Sequence, residues 1–226
     1  NVRVSCDRAL QWIARGRIEL TGHVVVVDDS VTFRSPRGLY LRDERIAQGF
    51  DGVELTDGRT RVNAREGWYA TGPRIAIFRH DVLIAESLMT VRADSVTYFR
   101  TERRSIAVGQ VRVHSLADNI TVTGGRLINE AARGYSRITE DPLLVQADTA
   151  GGARDTLFVR AMLLEAYRDS SRKTIATDSV RILRTDLAGV CGRAVFYTAA
   201  DSITMRESPV LWYENTQVTG DSIDIF

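Results

Sequence analysis

The sequence predicts an all-β fold, an elongated up-and-down antiparallel jelly roll, and three observations carry that reading. An apolar pattern recurs every 29 residues, alternating strand-like runs flank turn residues, and no stretch has a convincing 3.6-residue period. Val24, Val53, Val82 and Val111 stand 29 residues apart. Nine residues after each comes Phe33, Val62, Val91 or Ile120, and two further on Ser35, Ala64, Ala93 or Val122. Five beyond that stand Tyr40, Tyr69, Tyr98 and Leu127. Four positions held through four units are hard to obtain by chance.

Taken along the chain, each unit reads as two strands. Val4 precedes Val24 as Val62 precedes Val82, which puts Cys6 in the slot of Ala64 and Ala93. Val53 and Leu55 alternate into Asp57-Gly58, and Arg59 to Val62 alternates out again, a strong hairpin signal. Asp28-Asp29-Ser30 and Ala117-Asp118-Asn119 fill the equivalent turn, while Arg42-Asp43-Glu44 and Thr71-Gly72-Pro73 turn the opposite end. Strands joined by such short turns are antiparallel neighbours. Gly38, Gly49, Gly52, Gly67 and Gly109 recur inside strands, where glycine permits a bulge or bend. Apolar parity also changes between Ala93 and Val96, an odd offset that a bulge absorbs. Each long strand is therefore expected to kink partway, folding the stack into two facing walls with apolar residues inside.

Downstream, Val91-Arg92-Ala93-Asp94 recurs as Val159-Arg160-Ala161-Met162 and as Val218-Thr219-Gly220-Asp221. Residues 146–155 shift the frame and read as a longer loop. Residues 161–168 (AMLLEAYR) have helical character in isolation, but their place in the repeat makes them strand. About seven units form one expected domain over 1–226.

Composition narrows function. The 226 residues carry 30 basic and 29 acidic side chains, a net charge of +1, which argues against bulk electrostatic capture of nucleic acid. With 44% hydrophobic and 26% charged residues, disorder is excluded. No apolar run approaches the ~20 residues of a membrane-spanning helix. Lys173 is the only lysine; the other basic residues are arginine. His23, His80 and His114 are isolated, and Cys6 and Cys191 form no ligand cluster, so no metal or other cofactor is expected. Phosphate loops, nucleophile elbows and zinc-protease motifs are missing. Beginning at Asn1 without Met, the chain is expected to be a processed form or part of a longer one.

The repeated elements Gly22-His23-Val24, Gly52-Val53 and Val91-Arg92-Ala93-Asp94 with Tyr98 resemble the OstA-like family of lipopolysaccharide-transport proteins, the LptA, LptC and periplasmic LptD type. The resemblance covers the whole chain. Residues 180–223 carry its most specific part and look most like the OstA-like proteins of Bacteroidota-type bacteria. There Asp201-Ser202, Pro209-Val210-Leu211-Trp212 and Gln217-Val218-Thr219-Gly220-Asp221 match. Those relatives continue the cysteine with Asp-Ser-Leu, whereas Cys191 is followed by Gly192-Arg193-Ala194. The resemblance implies a β-taco jelly roll, no enzyme activity and a periplasmic location. It also implies an apolar groove that shields lipid A acyl chains, and head-to-tail association with other OstA-like modules or further copies.

On that reading Val53, Leu55, Val62, Tyr69, Val82, Ile84, Val91, Tyr98, Val111, Val113 and Ile120 are the candidates to line the groove. Val2, Val4, Ile223 and Ile225 lie on alternating, uncapped terminal strands, the candidates for edge-strand assembly. Asp94 and Asp221 read as turn or bulge acceptors. Cys6 and Cys191 lie about a dozen strands apart in the repeat register, too far for a disulfide. Three other readings stay open. A scaffold would have its interior filled by side chains. A carbohydrate-active β-solenoid needs convergent carboxylates, whereas the acidic residues here concentrate in turns. A closed outer-membrane barrel needs an outward apolar band, whereas these strands carry many arginines.

Overall fold

The computed structural model describes residues 2–58, 60–148, 155–168, 172–198, 200 and 202–226. Contacts divide the chain into two compact units, Asn1–Gly109 and Gln110–Phe226. The first unit holds β1 (Val2–Ser5), β2 (Arg8–Trp12), β3 (Arg17–Asp28), β4 (Val31–Leu41), β5 (Ile46–Phe50), β6 (Val53–Asp57), β7 (Thr60–Ala64), β8 (Glu66–Ala70), β9 (Ile75–Glu86) and β10 (Met89–Phe99). The division falls within β11 (Arg104–Ser115). The second unit continues through β12 (Ile120–Glu130), β13 (Tyr135–Thr139), β14 (Leu143–Asp148), β15 (Asp155–Arg160), β16 (Leu163–Tyr167) and β17 (Lys173–Arg184). It ends with β18 (Leu187–Tyr197), β19 (Ser202–Arg206), β20 (Val210–Tyr213), β21 (Thr216–Thr219) and β22 (Ser222–Ile225). Two 3₁₀ turns, Ile13–Arg15 and Ala131–Arg133, close on the left-handed Gly16 and Gly134.

The expected kink is a bulge in which two residues oppose one. Between β9 and β10 the register passes from Val82↔Ala93 to Arg79↔Ser95, so His80 and Asp81 together face Asp94. Likewise Gly22 and His23 face Pro36, whose missing N–H suits a bulge, and Asp178 and Ser179 face Gly192. Both members of each doubled pair are left-handed: φ is 63° at His80 and 54° at Asp81, 74° at Gly22 and 43° at His23. The pairs Asp51–Gly52, Gly109–Gln110, Glu140–Asp141 and Glu207–Ser208 share that conformation. Glycine, Asp, Asn and His tolerate this region best, and the residues found here are mostly of those types. Side chains reinforce several bulges: His23 meets Asp7 at 2.8 Å, Asp51 is paired with Arg37, and Asp141 with Arg160 at 2.6 Å. Hydrogen bonding from the guanidinium holds Asp51 and Asp141 below the usual carboxylate range.

Each kink separates two arms, and arms on the same side pair into a wall. In the first unit one wall runs β1–β3–β4–β6–β7–β9–β10, and the second runs β2–β3–β4–β5–β8–β9–β10. The second unit repeats this scheme as β12–β14–β15–β17–β18–β20–β21 and β12–β13–β16–β17–β18–β19–β22. All these pairs are antiparallel, and residues 161–168 contribute strand β16 rather than helix.

Two sequence expectations need adjustment. Gly52 and Gly109 do sit at kinks, but Gly38, Gly49 and Gly67 lie side by side within an arm. They are small because the interior is full there: a Cβ on Gly49 would stand 2.6 Å from Val53 and 2.7 Å from the Phe33 ring. Secondly, the loop expected over 146–155 is narrower. Residues 146–148 and 155 belong to paired strands, and 149–154 lie outside the described residues, as do Arg59 and Asp201. Two of the isolated histidines have a backbone role, since His23 and His80 occupy bulge positions.

Candidate functional site

Period-2 alternation sends every second side chain of an arm between the walls. In the first unit Val26, Phe33, Leu55, Val62, Ile84 and Val91 are successive cross-strand partners and form one apolar row. A second row nearer the kink contains Val24, Val53 and Val82. All of these are buried, from 1% exposure at Leu55 to 8% at Ile84. The facing wall contributes Leu20, Phe78 and Val96, and beyond them Ala47, Tyr69, Ala76 and Tyr98. Eight of the predicted groove residues thus belong to this unit. Seven of them are buried, and Tyr98 is half-buried.

The rim of the first unit is polar and fastened, a feature the sequence reading missed. Asp28, Asp57 and Glu86 recur every 29 residues at the rim ends of β3, β6 and β9. The Tyr69 hydroxyl donates to Asp28 at 2.8 Å, joining one wall to the other. Tyr98 does the same to Asp57 at 3.3 Å. Arg100 adds Nε to Asp57 at 3.3 Å and Nη2 to the Ser30 hydroxyl at 2.9 Å. Burial pushes both phenol pKa values up, and the neighbouring carboxylates push them further. The signal was present as a recurrent Asp-to-Tyr spacing of 41 residues, 28 to 69 and 57 to 98.

In the second unit, Leu144, Val159, Ile182 and Leu211 from one wall pack with Leu164, Ala176, Ala194, Met205 and Ile223 from the other. Cys191 lies in this cluster as a free thiol, its pKa pushed up to about 11 by burial. Ile120, Val122, Leu157, Phe196, Ile203 and Ile225 flank the cluster and are only partly buried. Among the predicted groove residues Val111 is buried, whereas Val113 and Ile120 are half-buried. Across the rim, Arg172 meets Asp118 at 3.3 Å. The first unit thus carries one buried and one part-buried Tyr–Asp fastening, and the second an exposed ion pair beside partly open apolar side chains.

The terminal strands differ from one another. Among the described residues β1 and β2 pair only with β3, β21 only with β20, and β22 only with β19. Val2 and Val4 are exposed, as are Leu10, Trp12 and Val218, while Ile223 faces the core and is buried. Asp94 fills its expected place at a bulge, with its side chain against Gly109. Among the described residues no group of three or more His, Cys, Asp or Glu is placed to hold a metal ion. Nor is any helix long and apolar enough to cross a membrane.

No family model matches the chain, and no curated protein matches it. Among solved structures it is similar to LptH, the LptA homologous periplasmic component of the conserved lipopolysaccharide transport device from Pseudomonas aeruginosa. The identity is 16%, covering 68% of this chain and 87% of that one, with a TM-score of 0.28. The fold class expected from the repeat, an all-β antiparallel jelly roll of two-strand units, is the class observed.

Proposed function

We propose that the chain is a periplasmic lipopolysaccharide-transport module, a binding protein rather than an enzyme, which shields lipid A acyl chains against the apolar interior between its walls. The proposal takes residues 1–226 as one functional module. One observation carries it: each unit turns apolar rows from two walls toward each other beneath a polar rim. The physical need is large. Exposing an acyl chain of a dozen carbons to water costs about 10 kcal/mol, at roughly 0.8 kcal/mol per CH₂. Apolar contact is non-directional, so a lipid sliding along such rows meets no single deep trap. Among the described residues β1, β2, β21 and β22 each have one unpaired edge, and these edges would be the means of end-to-end pairing with related modules or further copies.

One observation favours the scaffold reading instead. Around Gly49 the first unit has no room for a methyl group, so its interior is filled by side chains at that point. The experiment that separates the two places a photocrosslinker at Ile84, Val91 and Phe196, with lipopolysaccharide present and transport active. Lipid adducts are expected, strongest at Phe196, which is only partly buried. Adducts at none of the three sites leave the scaffold as the function.

A further inference from the structure

In the second unit the wall that runs from β12 through β14, β15, β17, β18 and β20 to β21 is apolar on its outer face, where an antiparallel sheet meeting water is ordinarily polar. Val159, Ile182 and Leu211 are buried in the core, so their neighbours on the same strands point outward. One outward row runs Val145, Phe158, Leu183, Ala188 and Trp212, each the register partner of the next. Across five adjacent strands this stripe is about 19 Å long. Leu183 is 55% exposed, and Phe158 and Trp212 are each 40% exposed. Val190 and Val210, partners in the next outward row, widen the stripe toward the kinks.

The repeat itself does not require such a face. In the first unit the matching row is Thr32, Thr56, Arg61, Ala85 and Thr90. Val145 thus stands where Thr56 does, Phe158 where Arg61 does, and Leu183 where Ala85 does. In the row beside it Glu54 meets Arg34 at 3.5 Å and Arg61 at 3.9 Å, so that face is polar and charge-matched. Leu143 takes the place of Glu54 in the second unit. The stripe is a local departure from the pattern that built the fold.

Charge decides what covers it. Among the described side chains that these arms turn outward, the charged ones are Arg160 and Arg181, and none is a carboxylate. Asp141 at the kink pairs with Arg160. Among the described residues no carboxylate lies within ion-pair distance of Arg181, which leaves one unmatched positive charge beside the stripe. Two copies stacked on this face would bring like charges together, and the patch of about 400 Å² is half the ~800 Å² per partner of a stable interface. The Trp212 Nε1 already donates to Gln217 at 3.2 Å, so no unpaired donor follows the ring out of water. We infer that this face lies on the surface of an anionic phospholipid bilayer. Phe158, Leu183 and Trp212 enter the boundary between headgroups and acyl chains, where indole rings are favoured, and Arg181 meets a lipid phosphate. The face is separate from the interior, and docking needs no lipid between the walls.

Co-sedimentation of the full chain with vesicles tests the inference, using phosphatidylcholine alone and phosphatidylcholine mixed with phosphatidylglycerol. The mixed vesicles are expected to bind about fivefold more strongly, an advantage lost at high salt. Arg181→Gln is expected to erase that advantage and leave binding to phosphatidylcholine alone unchanged. Leu183→Asp is expected to weaken binding to both about tenfold, whereas Thr56→Asp, on the first unit's polar face, has no effect. Leu183 and Arg181 are exposed, and an unchanged urea midpoint shows that each variant is folded. Lipids brominated on their acyl chains are expected to quench tryptophan emission, and Trp212→Phe to remove most of that quenching, since Trp12 and Trp68 belong to the first unit. No binding to the mixed vesicles, equal binding to both kinds, or binding indifferent to Leu183→Asp overturns the inference. Release of protein carrying phospholipid also overturns it, by placing the lipid between the walls. A dimer that Leu183→Asp dissociates does so too, by making a second copy the occupant.

Discussion

The Tyr69–Asp28 fastening is open to a quantitative test. Tyr69 is 1% exposed and its hydroxyl donates to a carboxylate that is itself 8% exposed, at 2.8 Å. Tyr69→Phe removes only that oxygen and leaves the ring in place. A hydrogen bond to a charged group contributes about 1.5–3 kcal/mol, and the residual exposure of Asp28 lets water recover part of it. We therefore expect a loss of about 2 kcal/mol, roughly thirtyfold in the folding equilibrium. Urea denaturation of Tyr69→Phe, Asp28→Ala and the double variant gives the coupling energy, which should be positive and of similar size. The same contact predicts a pH dependence. Burial first, then Asp28, raises the Tyr69 phenol above its unfolded value near 10. The folded protein thus holds this proton more tightly than the unfolded chain. Its contribution is complete below pH ~10 and declines as pH rises beyond it. Tyr69→Phe should flatten that alkaline decline. A coupling energy indistinguishable from zero, or an unchanged alkaline slope, refutes the claim that this contact ties the walls together.

Two further predictions address packing and the edges. Gly49→Ala drives a methyl into Val53 and the Phe33 ring, and should cost about 1–3 kcal/mol by urea denaturation; a neutral result means the interior there is looser than its distances indicate. Arg3→Pro removes a donor from the free edge strand β1, and sedimentation should show weaker self-association than the parent; a chain that is monomeric at every concentration before the substitution removes the edge-pairing proposal.

Strands, turns and kinks were legible because the repeat reports them directly: Val24, Val53 and Val82 mark the same depth in successive arms. The bulge chemistry was less legible. Its left-handed pairs are filled by His80 and Asp81 as readily as by Gly22 and His23, so glycine alone is a poor marker. Gly38, Gly49 and Gly67 misled for the opposite reason, since their smallness answers to rings on the other wall. The rim acids Asp28 and Asp57 read as ordinary turn residues, because only the fold brings Tyr69 and Tyr98 to them.

The left-handed pairs begin at residues 22, 51, 80, 109, 140, 178 and 207, and the gaps between them are informative. Four of the six intervals are 29 residues; the other two are 31 and 38. The 31-residue interval takes its surplus in the turn at 116–119, on the rim side, where β9 and β10 are joined by only two residues. In the 38-residue interval most of the surplus falls between residues 141 and 160. Adding a single residue between a kink and the rim would reverse which side chains face inward along that arm. Adding it at the rim changes only how far a turn projects. The bulges therefore act as fixed stitches, and the 31-residue repeat takes its extra length at the hem.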